Sequence, residues 1–430
     1  MSKLWEKNGV QLNATIEKYA AGTDALFDTY LLPFDIAASK AHAKALSKAD
    51  ILSTNELPKI DAALSELEKE FNAGKISITQ EDEDCHTMIE NYLVAKIGDV
   101  GKKIHTGRSR NDQVLVAQRL YMKKNLAEMR GALLALASDF LAYAQKYKKT
   151  PMPGYTHTQQ AMLSSIGHYM ASFAESAIDD VELLATIEKH IGKNPLGAAA
   201  GFGTSIHIDR NLTTKELGFS ALQMNSLYTQ NSRGKFESLY AEGLAQIMLT
   251  LGRFANDILL FTSQEFDYFS VDESLVTGSS IMPQKRNLDV MEIVRGNVSV
   301  VIANQLMIKD ITKNLISGYN RDGQLIKKPL VESTNIVAES IEVASLVLKG
   351  LTPKAENIAA KITPGIFAAD AANELVKKRV PFRDAYKRAA ASIVQKMPDL
   401  QKNLASKTTL GAPGNLALES YAARIKKLRG

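Results

Sequence analysis

Residues 277–289 read TGSSIMPQKRNLD, and the interpretation of the whole chain depends on this stretch. It combines two hydroxyls (Ser279 and Ser280), a compact cation (Lys285) and an amide (Asn287) within a few positions. A loop that only joins two helices needs no such set, whereas a loop that closes over an anionic ligand and delivers a base does. We predict a polar loop that carries a catalytic base and leads into a helix at its C-terminal end.

The sequence on both sides of this loop has helical periodicity and few strand signals. Between Asp112 and Tyr147 there is no proline and one glycine, which predicts a helix of roughly 50 Å at about 1.5 Å per residue. The other predicted helices cover residues 36–52, 56–73, 79–97, 160–190, 235–264, 289–313 and 328–350. We therefore expect an all-α protein built around a bundle of long helices.

The long helices carry apolar residues around much of their circumference, as at Leu133, Leu134 and Leu136 or at Ile247 and Met248. A bundle made by one chain would have trouble covering so much apolar surface. Burial of further helix faces against other subunits would resolve this difficulty.

The length of 430 residues is too great for one ordinary core, so several structural units are expected. We place an N-terminal helical domain at residues 1–110, a central long-helix domain at 111–360 and a small C-terminal helical domain at 361–430. Shorter helices and the prolines Pro381 and Pro413 distinguish the last of these.

Composition excludes several classes of protein. Charged residues make up 23% of the chain and the net charge is only +5; basic residues alternate with acids, which argues against a nucleic-acid partner. The single cysteine, Cys85, excludes an internal disulfide and favours a reducing compartment. Met1 to Val10 has no apolar run of signal type, and the apolar segment from Leu133 to Ala144 is too short to span a bilayer. We expect a soluble, cytoplasmic protein with no membrane partner.

Two more polar stretches interrupt the helices. Residues 103–113 read KIHTGRSRNDQ and precede the longest helix, whose N-terminus favours anions; Arg108 and Arg110 suit bidentate binding of carboxylates. The alternative is a helix cap with two surface arginines, but a cap needs one polar residue rather than a run. Residues 152–160 read MPGYTHTQQ, where His157 can hold a proton near neutral pH. Taken alone, a structural histidine hydrogen-bonded in a turn explains His157 better.

Together these three stretches resemble the argininosuccinate lyases of the fumarase/aspartase superfamily. The superfamily pattern G-S-S-x-M-P-x-K-x-N-P is met from Gly278 to Asn287, while HTGRSRNDQ at 105–113 and PGYTH at 153–157 resemble two other family regions. Similar segments extend from FDIAAS at 34–39 to VPFRDA at 380–385. The segment YNRDGQLIK at 319–327 resembles the family pattern Y-N-x-D-x-Q-x-x-K. Their joint presence in order is a specific signal, although each alone is weak.

The resemblance implies a reversible anti elimination of argininosuccinate to arginine and fumarate, the last step of arginine biosynthesis, with no metal and no cofactor. It implies an all-α, long-helix fold of the fumarase/aspartase type with three domains. The central bundle would be shared in a homotetramer, with each active site built from three subunits. This agrees with the separate expectation that the long helices need partners.

The resemblance also assigns roles to individual residues. Ser279 is the base, Lys285 and Asn287 stabilise the developing dianion, and His157, paired with Glu292, acts on the leaving-group side. These residue types suit the chemistry, because a dianion needs fixed donors and a serine base needs activation. The residues implied to bind the substrate are Ser39, Ser109, Arg110, Asn111, Thr156, Asn287, Tyr319, Gln324 and Lys327.

The sequence departs from the family pattern at several positions. Leu288 stands where the family has proline, for which we expect a more mobile end of the loop. Leu325 and Ile326 stand where acids are usual, which predicts a less acidic arginine end of the pocket. Thr158 and Gln160 replace the usual leucine and arginine after His157.

Two other functions stay open at this point. One is a superfamily lyase that acts on a different amino-succinate, such as aspartase or adenylosuccinate lyase. The other is a recruited structural protein, since relatives of this family serve as lens crystallins. The segment at 319–327 argues against the first, and the retention of Ser279, His157, Lys285 and Lys327 argues against the second.

The remaining histidines and the lone cysteine are expected to be structural. His42, His86 and His168 lie on predicted helices, and Cys85 is expected to be buried. The acids at 81–84 followed by Cys85 and His86 match no zinc spacing, and a helix that starts at Thr79 would explain the acids.

Overall fold

The computed structural model describes residues 13–79, 82–391 and 397–429 of the protein. The α-helices in these ranges are α1 Ala14–Ala21, α2 Asp24–Lys48, α3 Leu57–Asn72, α4 Cys85–Ile97, α5 Asp99–Lys102, α6 Arg110–Lys146, α7 Ile166–Ile191, α8 Arg210–Glu216, α9 Ser226–Asn231, α10 Lys235–Phe261, α11 Asp289–Thr312, α12 Lys327–Gly350, α13 Ala355–Ala360, α14 Ala368–Lys377, α15 Phe382–Ala391, α16 Leu400–Ser406 and α17 Leu418–Arg429. The strands are β1 Pro151–Thr156, β2 Gln159–Ser165, β3 Lys193–Asn194, β4 Ala221–Leu222, β5 Phe269–Val271 and β6 Leu351–Pro353.

The chain forms two compact units, and five long helices contribute residues to both. The first unit takes the described residues up to Glu128, together with Leu184–Ala245 and Val300–Ile336. The second takes Met129–Leu183, Gln246–Ser299 and the described residues from Val337 onward. The division into domains at 1–110, 111–360 and 361–430 stays a prediction.

The first unit has its main core where α2, α3 and α4 pack together. α3 shows why: Ile60, Leu64 and Leu67 recur at helical spacing on one face, and all three are fully buried. β3 and β4 form a short parallel pair in the same unit.

The second unit is held by aromatic packing among its long helices. Phe140 of α6 stacks on Phe173 of α7, with ring centroids 5.5 Å apart, and meets Phe254 of α10 edge-on at 5.1 Å. Two antiparallel strand pairs, β1–β2 and β5–β6, complete this unit.

The predicted long helices are confirmed, with small shifts at their ends. The helix predicted from Asp112 to Tyr147 is α6, and the helix predicted after the 277–289 loop is α11. The helix predicted at 36–52 instead spans Asp24 to Lys48 and contains Pro33. A proline in a helix interior costs roughly 3 kcal/mol, and burial of the side chains around it offsets that cost.

Two predictions about local structure were wrong. The helix expected to start at Thr79 starts at Cys85, because Asp84 caps it by accepting the backbone N–H of Thr87 at 2.8 Å. Glu81, one of the acids in that prediction, lies outside the described residues. The helix expected from residue 160 starts at Ile166, because the chain first forms the β1–β2 hairpin.

Within the described residues, the stretch Ser226–Phe261 is long and apolar enough to cross a membrane by length and composition alone. Of its most apolar window, 56% is buried inside the protein. Burial of this kind is typical of a core helix of a globular protein.

Candidate active site

The polar stretch before α6 is a built helix N-terminus. Ser109 accepts the backbone N–H of Asn111 at 3.2 Å, and Asp112 accepts the N–H of Ser109 at 2.9 Å. The second carboxylate oxygen of Asp112 accepts the N–H groups of Gly197 and Ala199 at 3.0 and 2.9 Å. Asp112 is fully buried, and burial raises its pKa to about 6 despite these hydrogen bonds. The predicted binding residues Ser109 and Asn111 thus sit on a fixed turn.

Arg108 is buried, so the alternative of a cap with two surface arginines is wrong for this residue. Its Nη1 donates to the hydroxyl of Ser39, also fully buried, at 2.9 Å. Its Nε and Nη2 have no acceptor among the described residues. Buried arginine donors without acceptors are unusual in a folded protein, and they suit a ligand that carries a carboxylate.

Arg110 is held by the start of α4. Its guanidinium donates to Thr87 Oγ1 at 2.8 Å and pairs with Asp84 at 3.1 Å and Glu83 at 3.6 Å. The carbonyl of Asn111, the next residue, accepts a hydrogen bond from Arg233 at 3.1 Å. Both predicted binding residues are therefore oriented by neighbours in the first unit.

The segment from Tyr319 to Lys327 lies in the same unit. The guanidinium of Arg233 sits 5.0 Å from the centre of the Tyr319 ring, so Arg233 contacts both Asn111 and Tyr319. The side-chain amide of Gln324 donates to the carbonyls of Ala20 at 3.1 Å and Ala21 at 3.4 Å.

Lys327 is buried between two carboxylates, which sequence reasoning did not single out. Its Nζ lies 3.0 Å from Asp24 and 2.6 Å from Asp28. Burial alone would lower the pKa of Lys327, but the two aspartates outweigh burial and raise it. The sequence shows only that Asp24 and Asp28, four residues apart, share one face of a helix; it gives no signal that pairs them with Lys327.

In the second unit, His157 occupies the turn of the β1–β2 hairpin. His157 and Thr158 both have positive φ, 53° and 60°, the backbone of the two-residue turn that suits the twist of a hairpin. Thr156, His157 and Thr158 are exposed. The His157 imidazole makes no hydrogen bond within the described part of the chain, which argues against a structural histidine bonded in its turn.

Both strands of this hairpin are fastened close to the turn. The hydroxyl of Tyr155 lies 2.5 Å from that of Tyr268. The Gln160 amide donates to the carbonyl of Lys361 at 2.7 Å, and its oxygen accepts both the N–H and the hydroxyl of Thr363 at 3.1 Å. The exposed His157 is therefore presented on a rigid support.

The loop at 277–289 is pinned at its base and open at its tip. Thr277 and Asn287 exchange backbone hydrogen bonds of 2.9 and 2.8 Å, and the Thr277 hydroxyl donates to Asp289 at 2.8 Å. At the tip the Ser279 hydroxyl accepts the N–H of Met282 at 3.2 Å. Lys285 is exposed, and no partner for its ammonium lies within the described residues.

Leu288 closes this loop by anchoring it. Its side chain is 6% exposed, and its carbonyl accepts the N–H of Met291 in the first turn of α11 at 3.1 Å. The leucine therefore supplies apolar packing where proline would supply a fixed φ. The expected extra mobility of the loop end stays a prediction.

Glu292 and His157 do not pair within this chain. Both side chains are exposed, and neither makes a hydrogen bond or ion pair in the described ranges. The two units hold the predicted residues as separate groups. The first carries Ser39, Ser109, Arg110, Asn111, Tyr319, Gln324 and Lys327, and the second carries Thr156, His157, Ser279, Lys285, Asn287 and Glu292.

The three histidines predicted to be structural each have one ring nitrogen within hydrogen-bond distance of a neighbouring group. His42 Nε2 lies 2.9 Å from the Thr106 carbonyl, His86 Nδ1 lies 2.6 Å from Asp35, and His168 Nδ1 lies 2.9 Å from the Ser164 hydroxyl. Cys85 is buried as predicted. The ligand atoms of Asp35, Cys85 and His86 lie within 4.8 Å of one another, and the short bond between His86 and Asp35 accounts for that grouping.

Comparisons with known proteins identify the family of the chain. A family model described as lyase matches residues 14–303. Argininosuccinate lyase of Thermotoga neapolitana is 42% identical over 388 residues, covering 90% of this chain and 97% of that protein. Argininosuccinate lyase of Sorangium cellulosum is 40% identical over 427 residues, covering 99% of each.

Solved structures support the fold. A crystal structure of EDDS lyase in complex with formate matches with a TM-score of 0.82 and 21% identity, covering 98% of this chain and 92% of that one. A fumarate lyase:delta crystallin from Brucella melitensis matches with a TM-score of 0.74 and 20% identity, covering 95% and 92%. The predicted all-α, long-helix fold of the fumarase/aspartase type is confirmed. On the full-length similarity at 40–42% identity, the chain belongs to the argininosuccinate lyase family.

Proposed function

We propose that this protein is an argininosuccinate lyase, which cleaves argininosuccinate reversibly to arginine and fumarate by anti elimination. The observation that carries the proposal is full-length similarity to curated proteins of that name, together with an intact GSSIMPQKRN loop at 278–287. The substrate is a small molecule with three carboxylates, an ammonium and a guanidinium, so its site needs cations, amides and hydroxyls.

In the proposed mechanism Ser279 removes the proton from the carbon beside a carboxylate. The charge then moves onto that carboxylate, and Lys285 and Asn287 stabilise the resulting dianion before the C–N bond breaks. Fixed donors aimed at developing charge often contribute more to catalysis than any other single effect. A serine hydroxyl is a weak base until its alkoxide is stabilised, and the exposed ammonium of Lys285 on the same loop supports that role.

His157, oriented by Glu292, is proposed to act on the leaving-group side, directly or through water. Their exposure, with no partner inside the described chain, supports a pair that forms between subunits. The proposed binding residues are Ser39, Ser109, Arg110, Asn111, Thr156, Asn287, Tyr319, Gln324 and Lys327.

We propose that the protein is a homotetramer with active sites built from three subunits. Exposed apolar side chains on the long helices support this: Ile293 and Leu306 on α11 are each 62% exposed, Leu249 on α10 is 46% exposed and Leu346 on α12 is 50% exposed. Isolated surface leucines are ordinary, but a helix that exposes several marks an interface. A cytoplasmic location is part of the proposal and rests on composition.

Complementation tests the shared site. A His157 variant and a Lys327 variant, each inactive alone, are mixed, dissociated and reassembled. Hybrids are expected to recover part of the wild-type rate, because some sites then contain neither substitution. No recovery from well-folded hybrids would contradict a site built from several chains.

A substrate panel tests the function itself. Purified protein is incubated separately with argininosuccinate, adenylosuccinate and aspartate, and fumarate is followed by ultraviolet absorbance. Turnover of argininosuccinate alone is expected. Turnover of another amino-succinate instead would assign a different lyase, and no turnover of any would favour a crystallin-type structural role.

A further inference from the structure

A cavity of about 1080 Å³ lies in the first unit, beside the predicted binding residues Gln324 and Lys327. Its wall includes Asp24, the first residue of α2, and two exposed lysines, Lys18 and Lys328. No partner for either lysine ammonium lies within the described residues. The cavity wall therefore combines two acids, Asp24 and Asp322, with two unpaired lysine ammonium groups.

The hydrogen bonds of Asp24 leave one of its carboxylate oxygens unused. Lys327 contacts Oδ2 of Asp24 at 3.0 Å and Oδ1 of Asp28 at 2.6 Å. Both oxygens of Asp28 are bonded, because the second accepts the N–H of Cys85 at 3.0 Å. Oδ1 of Asp24 has no donor in the described ranges, and the side chain is 13% exposed toward the cavity it lines.

Gln324 offers a second acceptor in the same wall. Its amide nitrogen is committed to the carbonyls of Ala20 and Ala21. In this orientation the side-chain carbonyl oxygen of Gln324 has no donor among the residues described. Asp24 and Gln324 together can receive the N–H groups of one cationic ligand.

We propose that Asp24 is a specificity-determining residue that binds the α-ammonium group of the arginine moiety, with Lys327 as the positioning residue that holds it. This rests on the proposed function. The α-carboxylate beside that ammonium would meet Lys18 or Lys328. An acid flanked by free cations complements an α-amino acid group, which carries both charges on one carbon.

The guanidinium is the less suitable ligand for Asp24. One of its nitrogens leaves when the C–N bond breaks, so the guanidinium belongs with the proposed catalytic residues Ser279 and His157. The α-amino group lies at the opposite end of the arginine side chain. Leu325 and Ile326 stand at positions where the family pattern usually has acids. Asp24, on α2, supplies a negative charge to the same cavity in place of those acids.

The reverse reaction separates the two halves of the substrate, because arginine and fumarate are added independently. Asp24→Asn is expected to raise KM for arginine by roughly 10- to 100-fold, the effect of losing a charged hydrogen bond. KM for fumarate should change less than about twofold. Asp61→Asn, which alters an exposed acid of α3 that does not line this cavity, serves as control and should leave both values unchanged. An unaltered KM for arginine in folded Asp24→Asn would overturn the inference.

A second measurement needs no variant. Wild-type protein is assayed in the reverse direction with arginine and with the arginine analogue that lacks the α-amino group. Arginine is expected to be preferred at least about tenfold in kcat/KM, and Asp24→Asn should reduce that preference. Equal use of both compounds would refute the role of Asp24 even if Asp24→Asn fails to fold. Failure of wild type to join arginine and fumarate would instead refute the proposed function.

Discussion

Replacing Asp112 by alanine is expected to destabilise the protein far more than removal of an ordinary helix cap. Three backbone N–H groups bond this buried carboxylate, at 2.9, 3.0 and 2.9 Å. Hydrogen bonds to a charged group contribute roughly 1.5 kcal/mol each. Burial outweighs these bonds and raises the pKa to about 6, so the charged carboxylate carries a net penalty of roughly 3 kcal/mol at about 1.4 kcal/mol per pKa unit.

The main loss in Asp112→Ala therefore comes from the buried N–H groups of Gly197 and Ala199, which are left without an acceptor. Each such group costs about 1–3 kcal/mol, so we expect the free energy of unfolding to fall by about 2–4 kcal/mol. Since Ser109 and Asn111 sit on the same turn, kcat/KM with argininosuccinate should fall as well.

Urea unfolding followed by circular dichroism measures this difference. The matched control is Asp399→Ala, which removes an exposed cap of α16 that accepts two backbone N–H groups at 2.9 and 3.1 Å. It should cost about 1 kcal/mol and leave activity unchanged. If Asp112→Ala lost no more stability than Asp399→Ala, the reasoning from buried N–H groups would be refuted.

Three other predictions concern Gln160, Asp180 and Arg119. Gln160→Leu removes the hydrogen bonds that fasten the His157 hairpin, so kcat should fall about tenfold or more with little change in KM. Steady-state kinetics measures both values, and an unchanged kcat would show that these bonds do not position His157 for catalysis. Burial raises the pKa of Asp180 to about 6, so above pH 6 the carboxyl is charged in both states, but only in the folded state is that charge buried. Asp180→Asn should therefore stabilise the protein by about 1–3 kcal/mol at pH 8, with a gain that shrinks as pH falls through 6 and vanishes near pH 4; thermal melts across this range test the sign. Arg119 is fully buried and donates to Lys193, Gln223 and Ser232 at 2.7–3.0 Å. Arg119→Lys should therefore lower the free energy of unfolding, measured in urea, by about 2–4 kcal/mol. The control Lys124→Arg, on the exposed face of the same helix, should lower it by less than about 0.5 kcal/mol.

The long helices could be predicted from sequence because their apolar periodicity is sustained and their interiors lack proline. The start of α6 was predicted within two residues, since Ser109 and Asp112 form a recognisable cap. Pro33 misled the prediction of α2, because local propensity says nothing of the packing that offsets a proline. The run of acids before Cys85 masked the true cap, Asp84.

The β1–β2 hairpin could not be predicted from local sequence. Its turn places His157 and Thr158 at positive φ, where asparagine and glycine are the expected signals. The pairing partners of Tyr155 and Gln160 lie more than a hundred residues away along the chain. Residue types and motif order identified the candidate site residues, whereas the pairing of Lys327 with Asp24 and Asp28 emerged only from the fold.

The rate of fumarate formation from argininosuccinate, measured side by side for wild type and Ser279→Ala, tests the central claim most directly. The account predicts turnover by the wild-type protein, with arginine and fumarate in equal amounts. It predicts a loss of at least about a hundredfold in kcat for Ser279→Ala with an unchanged thermal melt. No fumarate from the wild type, or near-wild-type turnover by Ser279→Ala, would contradict it.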